Sequence, residues 1–200
     1  MGQRSQIYVR INGELIVAHY YQWNYGTRMV SRARGIIEWI YEYAEFEDNG
    51  KKDRLWFFDK KRAGSEYCTK LSRICDVNFD MKDVVLSTDI VKEYEEDGEE
   101  EKFNDYVFLQ QANNDGQLYI DVMEQGIKYC FTDNNTEFPM DGDEYMKWDG
   151  YGENWSVPSE DLKEDEIETC WNNIEYLRKH ANLMTVEELQ EFIGKDYEEA

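Results

Sequence analysis

The dipeptide Asn12-Gly13 constrains the fold of this chain more than any other pair of residues. It sits between Gln6–Ile11, where apolar and polar side chains alternate, and Glu14–Tyr21, a β-branched and aromatic run. Alternation with period two sets one side of each segment against a core, and Asn-Gly accepts the positive φ angles of a two-residue turn. An N-terminal β-hairpin follows. After Asn24, Gly26 and Thr27 the period changes. Met29, Ala33, Ile36, Ile37, Ile40 and Ala44 recur at three- and four-residue steps, predicting an amphipathic helix from Arg28 to Glu45 that Asp48-Asn49-Gly50 closes.

Beyond it, Arg54–Phe58 reads as a short strand or packed loop, Ser65–Cys75 as a helix capped by Ser65, and Val84–Leu86 and Ile90–Val91 as short strands. Tyr106–Gln111, Gln117–Met123 and Ile127–Thr132, with a turn at Asn113–Gly116, form an antiparallel meander. A short helix is expected within Asp143–Trp148. Ser159 caps a helix whose inner face is Ile167, Trp171, Ile174 and Leu177. Thr185 and Glu188 make a capping box for a last helix that stops at Gly194. Hairpins and helices are segregated without a βαβ rhythm, so the class is α+β. The 200 residues form one domain, or two lobes dividing after residue 82.

That division is electrical. Net charge is −22; residues 1–82 carry 14 Lys/Arg and 11 Asp/Glu, whereas 83–200 carry 8 and 33. A domain of this size is roughly 40 Å across, a length over which B-DNA carries about 24 phosphates. The acidic half therefore has a charge of duplex magnitude. It should repel nucleic acid and anionic membranes and attract basic protein grooves. Glu93, Glu95, Glu96, Asp97, Glu99, Glu100 and Glu101 crowd one solvated loop, and Glu160, Asp161, Glu164 and Asp165 crowd another stretch. Trp148, Tyr151 and Trp155 are read as exposed aromatic anchors beside them.

Reactive chemistry finds little footing. Cys68, Cys75, Cys130 and Cys170 have no C-x-x-C spacing and the chain holds two histidines, His19 and His180, so no metal or cofactor is expected. Asp141-Gly142-Asp143-Glu144 departs from a calcium loop at Tyr145 and reads as a turn. No phosphate-loop, nucleophile-elbow or zinc-protease motif occurs, which argues against an enzyme, although dispersed carboxylates leave a metal-assisted one as an alternative. No apolar run is long enough for a membrane helix. The first residues lack the apolar stretch of a signal peptide, and Gln6 breaks the myristoylation pattern. A cytoplasmic protein with reduced cysteines is expected.

One segment stands apart. Projected at about 100° per residue, Arg28, Arg32, Trp39, Tyr43 and Phe46 share a flank of the first helix, with Arg34 close by. Arginine and aromatic residues dominate binding hot spots and stack on one another. This flank would grip a nucleotide or signalling phosphate, or else it is covered by the hairpin or the acidic half.

The opening MGQRSQIYVRI, with YYQWNYGTRMVSRARGIIEWI, resembles an uncharacterised family of small acidic proteins of phages and prophages of Gram-positive bacteria; the match covers the first 45 residues or so. The family carries no catalytic motif, so no residue roles transfer. The resemblance implies a mobile-element setting in the cytoplasm of a bacterial host, where small acidic proteins often block nucleic-acid-binding machinery. The leading expectation is thus a phage-encoded inhibitor, mimicking nucleic acid, whose partner is a basic host defence or regulatory protein, with its oligomeric state open.

Overall fold

A computed structural model describes residues 4–44, 46–48, 51–53, 71, 74–75, 87–89, 115–123, 125–133 and 138–194. The hairpin forms as its sequence predicts: β1 (Arg4–Ile11) pairs antiparallel with β2 (Glu14–Gln22) around Asn12 at φ 49° and Gly13 at φ 80°. The 18-residue helix α1 (Thr27–Ala44) follows. It stops before Phe46, which belongs to β3 (Phe46–Asp48), paired with β4 (Lys51–Asp53) in a small separate sheet. The expected helix stop at 48–50 is therefore corrected. Asp48 pairs with Lys51 and Phe46 with Asp53, and residues 49 and 50 lie outside the described residues.

Among the described residues the main sheet has six strands in the order β5-β2-β1-β6-β7-β8, with β5 at Ser87–Asp89, β6 at Gln117–Met123, β7 at Gly126–Thr132 and β8 at Asn182–Leu183. β6 and β7 are antiparallel neighbours, as expected, but β6 lies parallel to β1, from Gln6 opposite Gln117 to Ile11 opposite Val122. The middle strands are thus an extension of the N-terminal hairpin into one mixed sheet, so the near-neutral and acidic stretches share a core. The expected strand 106–111 and the loop 93–101 lie outside the described residues, as do 54–58, 84–86 and 90–91.

Alternation gives the sheet two buried faces. Ile7, Val9 and Ile11 of β1 and Leu118, Ile120 and Val122 of β6 face α1 and α3 (Glu164–His180), whose inner residues are Ile167, Cys170, Ile174 and Leu177. The other face carries Tyr8, Tyr119 and Cys130, packed with Met184 and with Leu189 and Phe192 of α4 (Val186–Ile193). Tyr8 stacks on Tyr119 at 5.3 Å, and Arg10 grips Asp121 through two hydrogen bonds of 3.1 and 2.6 Å while lying 4.5 Å from the Phe192 ring. At the start of the parallel pair, the buried Gln117 Nε2 donates to Gln6 Oε1 at 2.6 Å, and Tyr119 OH donates to Gln117 Oε1 at 2.9 Å. A buried polar row of this kind penalises a slipped register, because a slip would break these bonds; Gln6 Nε2 has no hydrogen-bond partner among the described residues.

The C-terminal helices follow their caps. Thr185 and Glu188 form the expected box at α4, which ends before Gly194. Asp141 and Glu144 form another that opens α2 (Gly142–Met146). Ser159 does not cap α3. Its Oγ accepts from the N–H groups of Asp161 and Leu162 in a preceding turn, and α3 begins where Glu166 Oε2 accepts from Lys163 N–H. Cys75, Cys130 and Cys170 are buried thiols; Cys68 lies outside the described residues.

Candidate functional site

The three arginines of the first helix go three separate ways. Arg28, at the start of α1, donates to the carbonyl of Trp23 at 3.4 Å. Arg32 is fully buried: Nε donates to Asn24 Oδ1 and Nη1 to the Cys75 carbonyl, both at 2.9 Å, with the guanidinium 5.0 Å from the Tyr21 ring. It is a core residue, and its expected place on a ligand-gripping flank is corrected. The reason is that residues 29–33 and 35–37 of α1 are all buried, so the front of this helix has no solvent-facing side. Trp39 packs against the core. The side chains of Tyr43 and Phe46 lie outside the described residues, and Phe46 sits on a strand, where the helical projection does not apply.

Arg34 alone reaches a concave surface. Its Nη1 donates to Asn173 Oδ1 on α3 at 2.8 Å, Nη2 lies 3.8 Å from Glu38, and the guanidinium stands 4.9 Å from the Tyr176 ring. A groove of about 870 Å³ opens there, lined by Arg34 with Asn172, Glu175, Tyr176, Arg178, Lys179 and His180. Arg178 is neutralised by Asp141 at 2.7 Å and Glu175 at 3.0 Å. His180 stacks on Tyr176 at 3.9 Å, and its Nδ1 lies 2.8 Å from the Tyr176 carbonyl. A carbonyl only accepts, so Nδ1 carries the proton and Nε2 is the remaining ring nitrogen.

The described acids concentrate elsewhere. Glu153, Glu160, Asp161, Glu164, Asp165, Glu166 and Glu168 are all exposed, on the loop before α3 and its first turn, with Lys163 the one basic residue among them. Carboxylates there complement the positive end of the helix, while Arg178, Lys179 and His180 occupy its opposite end. Glu93, Glu95, Glu96, Asp97, Glu99, Glu100 and Glu101 lie outside the described residues. The aromatic anchors are corrected. Trp155 is 3% exposed, with Nε1 donating to Asp143 Oδ1 at 2.8 Å, and Trp148 and Tyr151 pack half-buried on the main core. Rings this large beside Gly116, Gly26 and Trp171 find more apolar surface inward than outward. Val157, 59% exposed, is the apolar side chain actually presented among the acids.

Two carboxylates, the buried Asp115 and the half-buried Asp149, join the two halves of the chain. Asp115 accepts from the Arg4 N–H, and Asp149 Oδ2 accepts from the Gly26 N–H at 2.6 Å, just ahead of α1. α1 has no acidic residue in its own first turn, and Asp149 supplies an acceptor oxygen there from the kinked turn Lys147–Tyr151. Burial, with the Asp115 charge adding to it, raises Asp149 to about 7 against the pull of the Gly26 N–H; burial also raises Asp115. Tyr151 covers Gly26, and burial pushes its hydroxyl up to about 12. Nothing in the sequence around Asp149 marked it, because its partners lie 34 and 123 residues away.

Compared with models of protein families, with curated proteins and with solved structures, the chain matches none. Among the described residues no cluster of three or more His, Cys, Asp or Glu side chains is placed to hold a metal, and no helix is long and apolar enough to cross a membrane.

Proposed function

We propose that this chain is a phage-encoded acidic interaction protein that occupies a basic, nucleic-acid-binding surface of a bacterial host protein and performs no chemistry of its own. The observation that supports the reading is the run of seven exposed acids with one lysine between residues 153 and 168. The sequence adds seven more acids in 93–101. Fourteen carboxylates in two stretches would steer a basic partner at long range, and Val157 would add a short-range apolar contact.

The test is competition. The chain is titrated into a complex of labelled duplex DNA with a basic nucleic-acid-binding host protein, and DNA release is followed by fluorescence anisotropy. Release is expected, and its midpoint should weaken at least about tenfold between 50 and 200 mM salt. Absence of release from any such host protein, or release indifferent to salt, would remove the proposal. Because the α3 acids also stabilise their own helix by up to about 1 kcal/mol each, melting of the Glu160→Gln/Asp161→Asn/Glu164→Gln/Asp165→Asn variant is measured alongside its competition.

A further inference from the structure

We propose a second, independent site: the groove at the C-terminal end of α3 binds a small phosphate-bearing molecule, held by Lys179, His180 and Arg34. In the described stretch 138–194 there are 15 Asp/Glu and 4 Lys/Arg, yet two of those four bases, and its one histidine, face this groove. Helix-dipole compensation explains basic residues at the end of α3. It does not explain Arg34, which α1 brings in from 139 residues away and which Asn173 and Tyr176 hold in place.

The lining sorts by what is already engaged. Arg178 and Glu175 both line the groove and neutralise each other at 3.0 Å, Arg178 pairing with Asp141 as well, so together they serve as a wall. Lys179 is exposed and has no ion pair or hydrogen bond among the described residues. His180 is oriented by its Nδ1–H bond to the Tyr176 carbonyl and by stacking on that ring, so Nε2 is its available nitrogen. An ammonium, the Nε2–H that His180 carries as an imidazolium and a guanidinium around one open concavity suit the three oxygens of a phosphate monoester. The volume, about 870 Å³, admits a molecule of nucleotide size. The acidic first turn of α3 does not defeat this. It lies about 22 Å along the helix, beyond the Debye length of about 8 Å at physiological salt. With Lys179 the one uncompensated cation of this groove among the described residues, the dissociation constant should be of the order of a millimolar.

The chain has two histidines, and His19 is buried in β2, so ring C–H resonances in NMR report the groove without ambiguity. Inorganic phosphate, AMP, adenosine and chloride are titrated at constant ionic strength. Phosphate and AMP should shift His180 saturably and leave His19 unmoved, and adenosine and chloride should do neither. AMP tighter than phosphate would assign the rest of the groove to the ester's organic part, and equal affinities would assign the site to the phosphate alone. Lys179→Ala, whose exposed side chain supports no described contact, should keep the fold and weaken phosphate about 5- to 10-fold. An unmoved His180, a response to adenosine equal to that to AMP, or an unchanged affinity in Lys179→Ala would overturn the assignment.

Discussion

At pH 8 the Asp149→Asn variant should be more stable than the natural chain, even though Asp149 accepts a backbone N–H at the head of α1. The carboxylate sits in a half-buried turn, accepts the Gly26 N–H, and shares its surroundings with Asp115. Burial first, and the Asp115 charge second, lift it from an ordinary 3.8 to about 7. Its protonated form is therefore the one folding favours. Between these two values the folded chain holds a proton that the unfolded chain has lost, so the stability this group contributes is complete below pH 4 and disappears as the pH rises through 7. An asparagine keeps the acceptor oxygen and never acquires the charge. At about 1.4 kcal/mol per tenfold change in proton affinity, the gain over the natural chain is of the order of 4 kcal/mol at pH 8, under about 2 at pH 5, and near zero at pH 3. Urea unfolding followed by tryptophan fluorescence at the three values reads this directly. A variant no more stable than the natural chain at pH 8, or a gain of equal size at pH 3, would refute the reasoning.

Four other substitutions test separate parts of the molecule. Arg32→Ala removes donors from Asn24 and the Cys75 carbonyl and opens a cavity, so it should cost at least about 3 kcal/mol; Arg28→Ala should stay within about 0.5 kcal/mol, and thermal melting compares them. Gly26→Ala places a Cβ 2.7 Å from Tyr151 Cε2 at a φ of 52° and should cost about 2–3 kcal/mol. Urea midpoints check it, and a neutral outcome would mean that Tyr151 does not press on the turn. Val157→Asp should leave melting within about 0.5 kcal/mol while weakening binding to a basic partner; unchanged binding would exclude Val157 from the contact.

What was legible in the sequence was local. Asn12-Gly13, the three- and four-residue steps of α1 and the Thr185–Glu188 box each carry their physics within a few residues, and each appears where its pattern placed it. The parallel pairing of β1 with β6 could not be read that way. It depends on Gln6 meeting Gln117, 111 residues apart, and the intervening strands advertise only their own alternation. The same distance hid Asp149 and the groove, since Arg34 and His180 meet only through the packing of α1 on α3. Arg32 misled for another reason. Amphipathic projection assumes one wet side, and the first half of α1 has none. Trp155 looked like an anchor among acids because its partner Asp143 lies in a different turn.

Immobilising the full chain, loading a bacterial lysate at low salt and eluting with duplex DNA at that same salt puts the proposed role to its hardest trial. Duplex DNA should release basic proteins from the natural chain, and a column of the variant neutral at Glu160, Asp161, Glu164 and Asp165 should retain far less of them. Retention that duplex DNA leaves untouched, or that the neutral variant matches, would contradict the claim that these carboxylates stand in for a polynucleotide.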